Sequence, residues 1–483
     1  MVNTKAILIL TGLAGAPVLV GQLGRDAAPP GGGAAGGECA DPNAGPDVIV
    51  GDLIGIMNWG SDLGITGYSI GTIACNVGTE NLLWEPDGTS HPLIAQNMYR
   101  LKDGRFEQIG MSWLKHTFAA FAQNLCCSCN GDSGFVLGVG CSDPYFSNLN
   151  GDQDGFQSGF CPLSPVCGGL GPRSEVNAST GFFLWPYRSA GLSGAATFKR
   201  IQVKVGDLDP ALNPGSRYYA EGQFVAADDA AAGNHHNNAS YRWFIVRGFN
   251  ESKSGWDLFF TSITHRRQPA IMAWKAIDPG VVIETVDDRN NGWFNLGYRV
   301  TDNGDGTWHY EYALHNLDSD RSARSFSIPV PKKVMVTGVG FHDVDYHSGE
   351  PYTNEDWTPE HAGGAVAWST GAFADNPNHN ALRWGTLYNF RFDADSPPVR
   401  VTATIGLFKR GTPPAVSVAT LGPSNPLCPW DLNGNGAIDV PDLLALLAIW
   451  GTAPGGPPDF DGDGEVGIAD LCSLVANWGS CPG

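Results

Sequence analysis

Gly292-Trp-Phe-Asn-Leu-Gly-Tyr-Arg-Val300, Asp302-Asn-Gly-Asp-Gly306 and Trp308-His-Tyr-Glu-Tyr-Ala-Leu314 read as strand, tight turn and strand. The flanks are alternating and aromatic, and Asn-Gly with Asp-Gly supplies the residues that a hairpin turn favours. The same texture returns at Phe198–Val205, Tyr241–Gly248, Leu387–Phe392 and Arg400–Ile405. Strands this dense, with no helical periodicity between them, predict a mainly β body built as a β-sandwich or jelly roll. One helix is expected before it, over about 106–125, where Leu114, Phe118, Phe121 and Leu125 share a helical face. The fold class expected is therefore a mainly β body with a helical, Cys-rich N-terminal portion.

The chain has 483 residues, 64 glycines, 33 prolines and a net charge of −20. That length suffices for one or two large cores. The acidity argues against nucleic acid or an anionic membrane as partner, since both need clustered Lys and Arg. Residues 1–26 begin with Lys5 and run apolar to about Val20, which predicts a secretory signal, with no membrane span once it is removed. Residues 27–46 read as a flexible linker, 47–410 as the body and 411–427 as a second linker rich in Pro, Ser and Thr. Eight of the eleven cysteines lie in 39–167 and the other three are Cys428, Cys472 and Cys481. In an exported chain the default reading is disulfides, with the connectivity left open.

The last 56 residues hold a repeat. Asp431-Leu-Asn433-Gly-Asn435-Gly436-Ala437-Ile-Asp439-Val-Pro-Asp442 returns 28 residues later as Asp459-Phe-Asp461-Gly-Asp463-Gly464-Glu465-Val-Gly467-Ile-Ala-Asp470. Oxygen ligands at positions 1, 3 and 5, a glycine at 6 and a carboxylate at 12 are what a calcium loop requires. An amphipathic segment follows each loop: Leu443, Leu446, Leu447 and Trp450, then Leu471, Leu474, Val475 and Trp478. Prolines occupy the place where an EF-hand would have its first helix, so each unit is a loop and one helix.

That duplicated half-EF-hand resembles dockerin, over residues 425–483, and the flanking Cys428 and Cys481 are similar to its cysteine-bracketed bacterial variety. The resemblance implies two calcium ions. The first would be held by Asp431, Asn433, Asn435, Asp439, Asp442 and the carbonyl of Ala437. Asp459, Asp461, Asp463, Asp470 and the carbonyl of Glu465 would hold the second. It further implies folding coupled to calcium and attachment to a cohesin-like or other surface receptor. Positions 10 and 11 carry Val440-Pro441 and Ile468-Ala469 in place of the small hydroxyl residues usual there. The fold and the ion carry over; the partner's identity does not.

Within the body, the densest polar run is His342-Asp343-Val344-Asp345-Tyr346-His347, followed by His361. His342, Asp345, His347 and His361 are candidate ligands for Zn or Cu. The simpler reading is a polar loop after strand 334–339, with Asp343 and Asp345 on calcium. His235-His236-Asn-Asn reads as a loop. Glu175, Glu221, Glu311, Asp228 and Asp343 are candidate carboxylates for glycoside hydrolysis, which needs a pair flanking a sugar cleft. Trp243, Trp256, Trp293, Trp357 and Trp384 are candidates for a sugar-stacking platform or for core. No nucleophile elbow, phosphate loop, His-Glu-x-x-His or dinucleotide fingerprint occurs, and no catalytic residue is assigned.

Three functions follow. The first is a secreted or cell-surface protein whose calcium module attaches a β-rich body to an extracellular partner. The second is a polysaccharide-degrading hydrolase or lyase carried by a dockerin, a substrate class that rests on the resemblance. The third is an extracellular metal-dependent enzyme using the His342–His361 cluster.

Overall fold

The computed structural model describes residues 42–116, 119–154, 169–189, 191–289, 291–425, 428–454 and 456–481. The expected signal over 1–26, most of the first linker, and Cys39, Cys161 and Cys167 lie outside them. Strands make up 43% and helices 11% of the structure, about twice the usual strand share, so the chain is mainly β.

Four antiparallel sheets carry the body. The first joins Val48–Asp62, Ile65–Asn76 and Ile201–Lys204, with Ser142–Tyr145 beside the second of these. The second runs Gly255–Phe260, Ala239–Asn250, Arg217–Val225, Leu93–Lys102, Leu114–His116, Leu170–Gly171, and Arg105–Met111 also pairs with Leu93–Lys102. The third runs Val282–Asp287, Trp293–Asp302, Trp308–Asn316, Thr386–Ala394, Val336–His342. The fourth runs Thr358–Ala362, Ala365–Ser369, Ala323–Pro329, Pro398–Leu407, Ala415–Pro423.

Strand periodicity decides the layering. Phe294, Leu296, Tyr298 and Val300 point to one side of the third sheet, with Tyr310, Tyr312, Leu314, Tyr388, Phe390 and Phe392. They meet Phe326, Ile328, Val366, Trp368, Ala403 and Ile405 of the fourth sheet in one core. A second core lies between the first and second sheets, around Val50, Tyr68, Ile70, Ile94, Met98, Ala220 and Phe244.

The second and third sheets then share a mixed layer. Tyr99, Phe106 and Tyr219 pack with Trp274, Ala313 and Leu387. Beside them Arg105 Nε donates to both Glu311 oxygens at 3.0 Å. The Gln108 side chain accepts Leu387 N at 2.7 Å, and Asn389 donates to Phe106 O at 2.9 Å. Polar residues on the outward positions of third-sheet strands are thus buried, because a neighbouring sheet covers them.

The hairpin that opens the sequence argument forms. Asp302 pairs with Trp308, Asp302 accepts Gly304 N at 2.7 Å, and Gly304 and Gly306 take φ of 77° and 87°. Such angles cost a residue with a Cβ and suit glycine. The helix expected over 106–125 does not form: Arg105–Met111 and Leu114–His116 are strands. Asp103-Gly104 is a two-residue hairpin turn with both φ positive, at 49° and 80°, and it folds Arg105–Met111 back along Leu93–Lys102. The supposed apolar face does not share one environment: Leu114 is buried in the core, Phe121 and Leu125 are 62% and 49% exposed, and Phe118 lies outside the described residues. Residues 411–427, read as linker, contain the strand Ala415–Pro423, paired with Pro398–Leu407. Val416 and Val418 alternate into the core beneath that strand.

Disulfides join Cys75 to Cys126 and Cys129 to Cys141 in the Cys-rich region. Beside the second of these, Asp143 is buried. Burial pushes its carboxyl up to about 7, against lowering by Phe121 N–H and Tyr145. The native state then keeps a proton that the unfolded chain releases near pH ~4. The stabilisation is complete below that pH and is lost as pH rises through about 7. Asp143→Asn should flatten this decline. Urea midpoints from pH 4 to 8 check it, and an equal slope in both proteins would exclude Asp143 as the source.

No helix among the described residues is long and apolar enough to cross a membrane.

Candidate functional site

The two acidic loops of the C-terminal repeat fold alike, almost bond for bond. Asp431 accepts Gly434 N, Asn435 N and Gly436 N at 2.8, 3.1 and 2.8 Å. Asp459 accepts Gly462 N and Gly464 N at 2.8 and 3.0 Å. Asn433 accepts Asn435 N and Asn435 accepts Ala437 N, as Asp461 accepts Asp463 N and Asp463 accepts Glu465 N. Side-chain oxygens 1, 3 and 5 each hold a backbone N–H of the turn, which coils the loop around a common centre. Gly436 and Gly464 turn the chain with φ of 85° and 91°.

Position 12 closes each loop. Asp442 accepts Leu432 N at 2.7 Å and Asp439 N at 2.8 Å. Asp470 accepts Phe460 N at 2.6 Å and Gly467 N at 2.7 Å. Both carboxylates sit in the first turn of the helix that follows, where the N-terminal dipole favours negative charge. These helices, α1 (Val440–Ala448) and α2 (Ile468–Ala476), start where their loops end. Pro441 falls in the first turn of α1, where a missing N–H is tolerated.

The two units interlock. Ala437–Ile438 of the first loop pairs with Gly479–Ser480, beyond α2. Gly451 N and Thr452 O, beyond α1, bond Val466 of the second loop, each at 2.9 Å. The recurring Trp-Gly thus marks the segment that each half lends to the other. Leu446, Leu474, Ile438 and Val466 fill the small core between them.

The Cys428–Cys481 disulfide ties the two ends of this unit, and Cys472 is free and exposed. The bond closes a 53-residue separation, and its loss as the double Cys→Ser variant should cost about 2–4 kcal/mol, because the unfolded segment gains freedom. Calorimetry with and without reductant checks this; an unchanged transition would show that the clasp adds nothing.

The donor set suits a hard cation. Carboxylate oxygens of Asp459, Asp461 and Asp470 lie within 4.8 Å of one another, a convergence of like charge that an ion would relieve. In the first loop Asp439 Oδ1 is buried without a hydrogen-bond partner. Cys428 and Cys481 also lie close to Asp431, but their sulfurs are bonded to each other and are no ligands.

The four residues of the expected His cluster stand apart. His342 ends its third-sheet strand, where burial lowers its pKa despite Glu107 nearby. The His347 ring is engaged at both nitrogens, with Ser348 Oγ and Met111 O at 2.8 Å each. Burial holds it down to about 4, so it is neutral at pH 7. Asp345 is exposed beside Lys204 at 3.4 Å, and His361 is exposed on Thr358–Ala362. His342 belongs to the third sheet and His361 to the fourth, while Asp345 and His347 lie in the segment that follows His342. Among the described residues these four join no three-donor group; His235, His236 and Asp318 do. The sequence gives no sign of Asp318 as their neighbour, because it lies on a distant turn.

The five candidate carboxylates are also held structurally. Glu221 is buried, accepting from Asn97, Tyr99 OH and Ala270 N. Glu311 is buried on Arg105 and His309. Burial pushes Asp343 up to about 6, while Asn380 donates to it. Glu175 accepts Arg188 N and Asp228 accepts Leu83 N. Of the tryptophans, Trp357 and Trp384 are core.

No protein-family model matches this chain, and no curated protein is significantly similar to it. Among solved structures, the Amycolatopsis orientalis exo-chitosanase CsxA is 8% identical, with a TM-score of 0.14 over 73% of this chain. The match spans about a quarter (25%) of that enzyme's length. The N-terminal domain of the Streptococcus gordonii adhesin Sgo0707 is 7% identical, with a TM-score of 0.17 over 80% of this chain and 99% of the domain. At these TM-scores neither likeness bears on what the body does.

Proposed function

We propose that residues 428–483 are a dockerin-like calcium module that attaches an exported, β-rich body to an extracellular partner. The observation that carries this reading is the nearly identical hydrogen bonding of the two acidic loops, with position-12 carboxylates that seat each helix. Asp431, Asn433, Asn435, Asp439, Asp442 and the Ala437 carbonyl hold one calcium ion. Asp459, Asp461, Asp463, Asp470 and the Glu465 carbonyl hold the other. The ion supplies charge that lets the carboxylates converge; the chain supplies the coiled backbone that aims them.

Attachment draws support from the helix surfaces. Leu446 and Leu474 face inward, whereas Val440, Leu444 and Leu447 on α1 and Ile468 and Val475 on α2 are exposed. Apolar side chains repeated on both helices suit a protein partner with an apolar face, a cohesin-like or other surface receptor. Export agrees with the disulfides among the described residues, since such bonds persist in oxidising compartments.

The test is retention of the full chain on the surface of the cells that produce it. Retention in calcium that is lost in chelator, and lost in Leu444→Glu with Val475→Glu, is expected. Retention that ignores both treatments would overturn the attachment role. Each of the five carboxylates that the polysaccharide-enzyme reading would draw on accepts at least one hydrogen bond within the fold.

A further inference from the structure

We propose that His235, His236 and Asp318 form a binding site for one divalent transition-metal ion of the zinc class. The two histidines lie in the short turn His235–Asn237, just before the second-sheet strand Ala239–Asn250. Asp318 follows the third-sheet strand Trp308–Asn316. Histidine and aspartate are 82 residues apart in sequence, and His236 Nδ1 lies 3.0 Å from Asp318 Oδ2. His235 Nε2 lies 3.6 Å from the same oxygen.

Each ligand is held in place by a second contact. Asp318 Oδ1 accepts Trp293 N at 2.6 Å, which leaves Oδ2 turned toward the two rings. The His236 ring stacks on Trp293 with centroids 3.7 Å apart and planes 8° from parallel. The His235 ring lies 3.9 Å from that of His236, and its Nδ1 is buried without a hydrogen-bond partner. Asp318 has a side chain 1% exposed and no Lys or Arg paired with it among the described residues. A carboxylate so buried needs positive charge beside it.

Two imidazoles and one carboxylate are the ligand set of zinc and neighbouring first-row ions, with coordination positions left for water or a ligand. Calcium takes oxygen and would not choose it. The alternative source of charge is a protonated imidazole, and metal titration separates the two. An ion here would also join the second sheet to the third at a point far along the chain.

The experiment uses the untagged full chain in saturating calcium, which occupies the acidic loops, with Co²⁺ as the probe. One equivalent should give visible ligand-field absorption, displaced by one equivalent of Zn²⁺. His235→Ala and Asp318→Asn should each weaken binding at least ~100-fold, beyond what loss of an outer-shell partner costs. Asp318→Asn keeps an acceptor for Trp293 N, so circular dichroism should match the parent and the result stands even if His235→Ala misfolds. Absence of absorption in the parent, or equal affinity in Asp318→Asn, would overturn the site and leave the protonated pair.

Discussion

Chelating calcium from the full chain is expected to unfold residues 428–483 while the four-sheet body stays folded. The tail has eight acidic residues and no Lys or Arg over 425–483, so its folded loops gather charge that no cationic side chain of the segment offsets. Its core is small, with Leu432, Ile438, Leu446, Val466 and Leu474 as the principal buried apolar residues. Such a unit depends on bound ions for much of its stability. Two sites, each giving ~2.7 kcal/mol at a hundredfold excess over its Kd, together contribute roughly 5 kcal/mol. Calorimetry should show a transition that moves down in chelator and recovers with Ca²⁺. Limited proteolysis should cut between 428 and 481 only in chelator. A trace and cleavage pattern that chelation leaves unchanged would rule out the calcium reading. Asp470→Ala should remove one site and halve the shift, because Asp470 both seats α2 and closes its loop.

Arg173→Met is expected to lower the stability of the body by about 3–5 kcal/mol. The buried guanidinium donates to Ser112 O, Gly385 O, Gln96 O and Asn97 Oδ1 at 2.8, 3.0, 3.1 and 2.8 Å. Those acceptors lie on or beside the second sheet and at the start of the third-sheet strand Thr386–Ala394, so one side chain binds two layers. Methionine fills much of the volume and satisfies none of them, and each stranded buried acceptor costs about 1–3 kcal/mol. Burial disfavours that charge and lowers the Arg173 pKa, against the pull of Tyr99, Glu350 and Glu221. Arg173→Lys should fall between, since an ammonium cannot reproduce the planar fork. Gly385→Ala should act in the same direction: a Cβ there would meet Arg173 Nη1 at 2.4 Å, at a φ of 70°. Urea midpoints check all three, and an Arg173→Met midpoint equal to the parent's would show the network to be dispensable.

Strands at 201–204, 239–250, 293–302, 308–316, 386–394 and 398–407 were legible because aromatic and β-branched alternation is a local signal. So was the hairpin turn at 302–306, and so were the positions of both acidic loops and their helices. Their geometry is set by contacts within about a dozen residues, and the glycines and carboxylates that make those contacts are visible in the chain. Over 106–125 the local signal misled. A few apolar residues at helical spacing looked persuasive, while the short turn at Asp103-Gly104 committed the segment to pair with Leu93–Lys102. In 411–427 the prolines and hydroxyls masked a plain alternation at Ala415–Pro423.

By itself the sequence determined that the body is mainly β, that two loops repeat with oxygen donors at matched places, and that a helix follows each. Only the tertiary structure decided that one face of the third sheet is apolar core and the other a mixed layer, partly polar, against the second sheet. It alone separated His342, Asp345, His347 and His361, and it alone brought His235 and His236 to Asp318. Alternation says which residues share a face of a strand, but not what covers that face. Contacts across 82 residues are set by which sheets stack, and stacking is decided by the sum of many side chains, none of which signals it alone.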